Sequence, residues 1–161
     1  MVCLPFYLFW GRQEGVKEED MKMRKVQKRR TKKKKLTRSQ LVRSLDKVFS
    51  IYIRQRDKGV CFTCGKRDEW KFMQNGHFIS RGKFATRWDE DNCHCQCIAC
   101  NIFKNGNYTI YAERLIDVYG EGIIHQLNRR GQSIQRWGSH ELQERIEYYK
   151  QKIKEGFKED L

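Results

Sequence analysis

Apolar residues recur at helical spacing just after residue 37 and predict the first helix of the chain. Its apolar positions are Leu41, Leu45, Val48, Phe49, Tyr52 and Ile53. Thr37 or Ser39 is expected to cap this helix, and Gly59 is expected to end it. The stripe predicts packing against a core, whereas the opposite face is a candidate contact for DNA. That face carries Arg43, Lys47, Arg54 and Arg56.

Three more helices are predicted after residue 107. Residues 108–119 form one that ends at Gly120, and residues 123–130 form a short one that Gly131 closes. Ser139 is expected to cap the last helix. The apolar positions of the first and last of these helices are Tyr111, Leu115, Val118, Tyr119, Leu142, Ile146, Tyr149 and Ile153. Their stripes are expected to pack into a core, with dimerisation as the alternative.

Between these helices the pattern changes to two short strands around a loop. Residues 70–80 predict a strand that enters a loop at Asn75 and Gly76, and residues 81–91 continue that loop. Residues 92–96 alternate with a period of two and predict a second strand, and residues 98–104 predict a helical turn. The middle of the chain is therefore expected to be a strand–loop–strand–helix unit.

The positive charge of the chain is concentrated in one segment. Residues 22–58 contain 16 basic and two acidic residues, so they account for the whole net charge of +14. Such a segment favours binding to nucleic acid, because cationic side chains release the counterions condensed on the polyanion. Its part before residue 36 is expected to be disordered without a partner. A solvated tail and an acidic protein partner are the alternatives.

The apolar leader before this segment predicts no membrane span. Residues 2–10 are apolar, but the stretch is too short to cross a bilayer and lacks the basic stretch that begins a signal peptide. The cytoplasm is therefore the expected location.

Seven cysteines are present, and four of them form two Cys-x-x-Cys pairs. This odd number, in this spacing and without an export signal, favours metal thiolates over disulfides. Four thiolates suit tetrahedral zinc, and a unit with little apolar core gains stability from the ion. The predicted ligands of this structural zinc are Cys61, Cys64, Cys97 and Cys100. Cys93 and Cys95 are alternative ligands, although their period-two spacing favours strand positions.

His77, between the two cysteine pairs, is the candidate general base. A neutral imidazole can take a proton from water near neutral pH, because its ordinary pKa is about 6.5. Phosphodiester hydrolysis also needs a cation that stabilises charge on the phosphate and on the leaving oxygen. Fourteen residues separate His77 from Asn92, and eight separate Asn92 from Asn101. A loop histidine taken alone is more often structural. The assignment of His77 as general base therefore depends on the spacing of Asn92 and Asn101 after it.

This arrangement resembles the HNH, or ββα-metal, nuclease superfamily, and it is similar in more detail to the NinG recombination protein family of lambdoid phages. The matching residues are Cys61, Cys64, Asn75, Gly76, His77, Phe78, Asp91, Asn92, Cys93, His94, Gln96, Cys97, Cys100, Asn101, Lys104, Gly106 and Asn107. The resemblance covers roughly residues 37–155. It implies a structure-specific or junction-resolving DNA endonuclease of phage recombination, acting in the bacterial host.

The fold class expected from the elements and the resemblance together is α+β. A small zinc-stabilised, HNH-like ββα-metal core carries flanking α-helices and a disordered basic N-terminal arm. The expected divisions are a leader and basic arm over 1–36, a basic amphipathic helix over 37–58, the zinc-bound core over 59–107 and a helical region over 108–161.

The resemblance also implies roles for the motif residues. His77 is the general base, Asn92 holds the loop that carries it, and Asn101 binds the catalytic Mg²⁺ or Mn²⁺. Many superfamily members have a second ligand directly before the base, where this chain has Gly76. The candidates for that ligand are Asn105, His94 and Asp91. Asn105 is preferred, because it lies one helical turn beyond Asn101.

The implied partner is branched DNA, such as Holliday junctions, D-loops or flaps. The candidate DNA contacts are Arg81, Lys83, Arg87, Lys32, Lys33, Lys34 and Lys35. Loop arginines can hold a phosphate, and Phe84 and Trp88 are candidates for stacking on exposed bases. A homodimer would supply the two nicks that junction resolution needs, although no heptad pattern supports one. A non-catalytic zinc module for branched DNA and an RNA-binding factor are the alternative functions.

Overall fold

The structure is a computed structural model that describes residues 35–159, with side chains described through residue 156. The chain divides into two units, 1–35 and 36–161, and all elements below belong to the second. The predicted leader, most of the basic arm and Lys32, Lys33 and Lys34 lie outside the described residues. No helix in the described range is long and apolar enough to cross a membrane.

The first helix, α1, spans Arg38–Arg56 and begins at a capping box. The Thr37 hydroxyl accepts from the Gln40 N–H, while the Gln40 side chain accepts from the Thr37 N–H at 2.8 Å. Both bonds satisfy N–H groups that have no partner within the helix. Four positions of the predicted stripe are fully buried: Leu41, Leu45, Phe49 and Ile53. Thr37 is therefore the cap, and the predicted core face is confirmed.

The last helix, α4, spans Ser139–Glu159 and packs along α1. Their shared core contains Leu41, Leu45, Phe49, Ile53, Trp88, Cys93, Leu142, Ile146 and Tyr149. Phe49 meets Tyr149 edge-on, with ring centroids 4.9 Å apart. Ser139 is the first helical residue rather than a side-chain cap. The Gly138 N–H instead donates to the Glu141 carboxylate at 2.6 Å.

Two short antiparallel strands lie on α1: β1 spans Gln74–His77 and β2 spans Cys93–Gln96. The register pairs Gly76 with His94 and His77 with Cys93. The predicted first strand was too long, because Trp70–Phe72 form a 3-10 helix and the Met73 N–H donates to Trp70 O. The predicted loop at Asn75 and Gly76 is also wrong, since both residues belong to β1.

The helices α2, Tyr108–Tyr119, and α3, Ile123–Gln132, form a second small core on the other side of the hairpin. Its buried residues are Tyr111, Leu115, Ile123 and Leu127. The predicted end of α2 at Gly120 is confirmed, but Val118 and Tyr119 are exposed. Gly131 lies inside α3 rather than closing it. A Cβ there would meet the Ile79 side chain at 2.9 Å, so glycine permits close packing.

Two arginines at the end of α1, Arg54 and Arg56, bind other parts of the fold and are therefore not available to contact DNA. The Arg56 guanidinium donates to Glu90 O and Cys93 O at 3.1 and 2.9 Å and to both oxygens of Asp57. Arg54 donates to the carbonyls of the 70–73 turn and to Ser50 O. The predicted basic DNA face therefore retains only its exposed members, Arg43 and Lys47.

The substitution Arg56→Lys keeps the charge but removes the planar group that bonds several acceptors at once. We expect the free energy of unfolding, measured by urea denaturation, to fall by about 2 kcal/mol, because charge-assisted hydrogen bonds are lost. Arg43→Lys on the exposed face of α1 is the matched control, with an expected change below about 0.5 kcal/mol. Equal effects of the two substitutions would contradict this role of Arg56.

Candidate functional site

The four cysteines of the two Cys-x-x-Cys pairs come together at one end of the hairpin. Cys61 and Cys64 lie in a tight turn closed by Gly65, whose N–H donates to Cys61 O at 2.8 Å and whose φ is +72°. Cys97 follows β2 directly, and Cys100 lies in a π-helical turn over Ala99–Phe103.

The geometry of this cluster suits a tetrahedral metal ion. The four Sγ atoms lie within 4.8 Å of one another, and those of Cys64 and Cys97 are 3.8 Å apart. Tetrahedral Zn²⁺ with Zn–S distances of about 2.3 Å requires S···S distances of about 3.8 Å. Cys93 and Cys95 are buried in β2 and lie outside this group. The four predicted residues are therefore able to hold a structural metal such as zinc.

The protonation of the thiols also indicates a need for a cation. Burial raises the pKa of Cys64 to about 12 and raises that of Cys97 as well. Burial also acts to raise the pKa of Cys61, but hydrogen bonds from Thr63 and nearby groups lower it to about 6. The Thr63 hydroxyl lies 3.4 Å from the Cys61 sulfur. A bound divalent cation would stabilise all four as thiolates.

A pocket of about 600 Å³ opens beside β1, between α1 and the π-helical turn. Five of the predicted functional residues line it: His77, Arg81, Arg87, Asn101 and Asn105. Its lining also includes Asp46, Gln74 and Asn75. Lys83 is exposed and lies outside this lining. The structure thus brings the predicted base and two of the predicted cation ligands into one cavity.

His77 is held in one orientation by a backbone carbonyl. Its Nε2 atom lies 3.1 Å from Arg87 O, and because a carbonyl only accepts, the hydrogen-bond network assigns the proton to Nε2. Burial lowers the pKa of His77, and the positive charges of Arg81 and Arg87 act in the same direction. Hydrogen bonds to the backbone of Arg87 and Asn75 oppose this shift, but the net direction of the pKa is downward, which favours the neutral ring. With the proton on Nε2, the lone pair lies on Nδ1.

Asn92 is fully buried and ties together both ends of the loop after His77. Its Oδ1 accepts from the Ile79 N–H at 2.6 Å, and its Nδ2 donates to Ile79 O at 3.0 Å and to Thr86 O at 2.9 Å. This side chain does not line the pocket. Asn92 therefore acts on His77 through the backbone, as a positioning residue.

Asp46 of α1 supports the same loop, and sequence reasoning missed it. Its carboxylate accepts two hydrogen bonds from Arg87, at 2.8 and 2.6 Å, and one from Trp88 Nε1 at 3.0 Å. This pairing fixes the residue whose carbonyl orients His77. An acidic residue within a basic amphipathic helix was the only available signal, and its partners are 41 and 42 positions away.

Arg87 and Trp88 do not match their predicted roles. The guanidinium of Arg87 already binds Asp46 in a bidentate manner and donates to Arg81 O at 2.9 Å. Trp88 is buried, so it is unable to stack on a base. Phe84 is half-buried between the guanidinium groups of Arg38 and Arg87. Arg81, in contrast, is exposed, and its side chain has no hydrogen-bond partner within the described part of the chain.

The π-helical turn joins the cysteine cluster to the pocket. The Asn101 N–H donates to Cys97 O at 2.9 Å, and its side-chain Nδ2 donates to the Gln74 side chain. The turn ends at Phe103, and two residues later Asn105 has a φ of 47°, in the left-handed region. The predicted helical turn is thus a π-helix, a rare form that often marks functional sites.

Two predicted cation ligands lie away from the pocket. His94 projects from the opposite face of the hairpin to His77, because adjacent register positions alternate in direction. Its two ring nitrogens each lie 3.1 Å from a tyrosine hydroxyl, of Tyr111 and Tyr119. Asp91 is paired with Arg130 at 3.2 Å. The prediction that His94 and Asp91 are cation ligands is therefore wrong. Both side chains have structural partners, and neither lines the pocket that contains Asn101.

Gly76 is explained by its neighbour across the hairpin. A Cβ at this position would lie 2.1 Å from the Gln96 side-chain oxygen. Gln96 is buried and donates to Gly106 O at 2.9 Å, so its side chain is firmly placed. Any larger residue at position 76 would displace Gln96. The space that a side chain at position 76 would need is thus filled by this amide.

Comparison with known proteins gives the relationship of this chain. The family model described as "Bacteriophage Lambda NinG protein" matches residues 11–159. The chain belongs to the NinG family.

Several curated NinG proteins are similar to the chain over 115 residues, or 71% of its length. Those of Escherichia phage 933W and Salmonella phage P22 are 26% identical, and that of Escherichia phage lambda is 25% identical. The matched region covers 57% of the first of these and 56% of the other two. The chain thus spans little more than half the length of these NinG relatives. No solved structure matches it.

The cysteine cluster predicts a specific pattern of zinc content. We expect one tightly bound zinc ion per chain, and Cys97→Ala should lose it and unfold at a lower temperature, because one thiolate is missing. Cys95→Ala is the control, since Cys95 is buried on the adjoining strand but lies outside the cluster. Elemental analysis of both variants checks this. Retention of zinc by Cys97→Ala, or its loss from Cys95→Ala, would contradict the assignment.

The burial of His94 predicts a pH-dependent stability. Burial lowers the pKa of His94 to about 4. Below about pH 6.5 only the unfolded chain protonates this ring, so the free energy of unfolding should fall by about 2 kcal/mol between pH 7 and 5. Urea denaturation of His94→Gln should lack this component. His125→Gln on the exposed face of α3 should keep it; a His94→Gln variant with unchanged pH dependence would refute the prediction.

Proposed function

We propose that the protein is a metal-dependent DNA endonuclease that hydrolyses phosphodiester bonds with His77 as general base. The observation that carries this proposal is the state of His77: neutral, fixed through Nε2 by Arg87 O, and lining the same pocket as Asn101. An imidazole with its proton on Nε2 has Nδ1 available to accept another. The NinG family and its resemblance to HNH nucleases support the same reaction class.

In the proposed reaction a water molecule loses a proton to Nδ1 of His77 as its oxygen attacks the phosphorus. The bond from phosphorus to the leaving oxygen breaks, and that oxygen takes up a proton. His77 must keep its direction throughout, and the hydrogen bond to Arg87 O gives it that direction. Asn92 and Asp46 position His77 indirectly, since they fix the backbone that provides this carbonyl.

A Mg²⁺ or Mn²⁺ ion would stabilise the charge that develops on the phosphate and on the leaving oxygen. Asn101 is the ligand that the π-helical turn offers, because its Nδ2 is engaged by Gln74 and its Oδ1 is left as an acceptor. The lining offers amide oxygens rather than a free carboxylate, since Asp46 is neutralised by Arg87. Such a site suits a hydrated ion that takes further ligands from the substrate phosphate.

Substrate binding is proposed to depend on separate positive groups. Arg81 is the loop residue best placed to contact the scissile phosphate, since it lines the pocket and is exposed. The basic segment 22–58 would add contacts along the backbone, with a strong dependence on salt. A preference for branched DNA is proposed on the family resemblance.

A non-catalytic zinc module that binds branched DNA is the second candidate. It is favoured by one observation: the described lining of the pocket contains no unpaired carboxylate for a hard cation. This reading predicts junction binding and one zinc ion, without cleavage and without measurable binding of Mg²⁺ or Mn²⁺.

The test of the nuclease is cleavage of four-way, flap and linear duplex DNA in the presence of Mg²⁺ or Mn²⁺. We expect the rate of the wild-type protein to fall only below about pH 6.5, because the base must be neutral and burial lowers the pKa of His77 below that ordinary value. His77→Ala should lose at least about 100-fold in rate, the scale of general-base catalysis.

His125→Ala is the matched control for this assay, because His125 is an exposed histidine of α3 outside the pocket. It should cleave like the wild-type protein. Absence of cleavage on every substrate, or equal cleavage by His77→Ala, would rule out the proposed mechanism. Junction binding that persists in that case would favour the non-catalytic module.

A further inference from the structure

Asn75 has a buried side-chain oxygen without a hydrogen-bond partner. It lies in β1 two residues before His77, so both side chains leave the strand on the same face. Asn75 also lines the pocket that contains His77 and Asn101. Its Oδ1 atom is buried and unpartnered in the described part of the chain. Native structures keep few such atoms, because each costs about 1–3 kcal/mol.

The other polar groups around Asn75 have partners of their own. Asp46 is paired with Arg87, and the amide nitrogen of Asn101 donates to Gln74. The Oδ1 atom of Asn101 is left without a partner among the described residues. Two residues that line the pocket, Asn75 in β1 and Asn101 in the π-helical turn, therefore each have an amide oxygen with unused acceptor capacity.

The remaining positions that could provide a second ligand are less suitable. A side chain at position 76 would run into Gln96, on the face of the hairpin opposite to His77. His94 and Asp91 are engaged elsewhere. Asn105 lines the pocket, but it is exposed and carries no buried orphaned atom.

We propose that Asn75 Oδ1 and Asn101 Oδ1 are the two protein ligands of a hard divalent cation in this pocket. This inference rests on the proposed function, because the cation would act on a phosphate held beside His77. Two neutral oxygens bind such an ion weakly by themselves. Waters and the phosphate complete the shell, as is usual for Mg²⁺, so binding should tighten when DNA is present.

The experiment measures Mn²⁺ binding to the full-length, zinc-loaded protein by electron paramagnetic resonance, with and without DNA. Asn75→Asp should tighten Mn²⁺ binding by about tenfold or more, because a carboxylate is a stronger ligand for a hard cation than an amide. Asn105→Asp is the matched control, since it adds the same charge to the same pocket and should tighten binding by only about two- to fivefold by Coulomb attraction through water alone.

A second variant tests the premise that Asn75 Oδ1 is orphaned. Asn75→Leu should melt no lower than the wild-type protein, because an apolar group of similar size replaces an unsatisfied polar one. It should also weaken Mn²⁺ binding in the presence of DNA. A clear loss of thermal stability would show that Asn75 has hydrogen-bond partners and would overturn the inference.

The outcomes separate this inference from the proposed function. Unchanged Mn²⁺ affinity in Asn75→Asp, or a larger gain in Asn105→Asp, refutes the role of Asn75 even if His77-dependent cleavage is observed. A larger gain in Mn²⁺ affinity in Asn75→Asp than in Asn105→Asp supports the site even if no DNA is cut. Cleavage that proceeds equally well in Asn75→Leu, with unchanged Mn²⁺ affinity, also refutes it.

Discussion

The joining of the Cys61–Cys64 turn to the end of β2 by one cysteine cluster is the constraint on which the site depends. Each strand has only four residues, too few to bury a core of their own. The turn of Cys61 and Cys64 is bonded to β2 through Phe62 N–H and Cys95 O at 2.8 Å, and Cys97 follows β2 directly. Because Asn101 comes straight after Cys100, the position of the π-helical turn is set by the same cluster. A defect in the cluster would therefore move one wall of the pocket.

The opposite wall is fixed by hydrogen bonds from two distant parts of the chain. Asn92 holds the loop after His77 from within, and Asp46 holds Arg87 from α1. Their shared effect is on one atom, Arg87 O, which sets the ring of His77. Arg87 therefore contacts His77 through its backbone carbonyl, while its guanidinium group binds Asp46. In the loop after His77, the Arg87 side chain is thus paired with a carboxylate rather than left for phosphate.

The sequence predicted the helices and the four-cysteine cluster well, because each depends on local spacing. The stripe of α1 and the end of α2 at Gly120 follow from periodicity, and two Cys-x-x-Cys pairs are a strong metal signal. The role of Asp46 and the engagement of His94 by two tyrosines were not predictable in this way, since their partners are separated by 17 to 42 positions. The prediction that Gly131 closes α3 was wrong because the role of this glycine also depends on a distant residue. Glycine commonly ends helices, but here it leaves room for the side chain of Ile79.

In the proposed cation site, Gly76 stands where many members of the HNH superfamily that the chain resembles have a ligand directly before the base. Gln96 lies against Gly76, so restoring a carboxylate there would require the hairpin to repack. The acidic groups nearby are neutralised by arginine: Asp46 by Arg87, and Asp89 and Asp91 by Arg130. A cavity with amide oxygens and a free Arg81 has little affinity for a cation alone but suits a phosphate and a cation together. In the proposed reaction the negative charge needed to hold the metal would come with the substrate, which would tie cation binding to the presence of DNA.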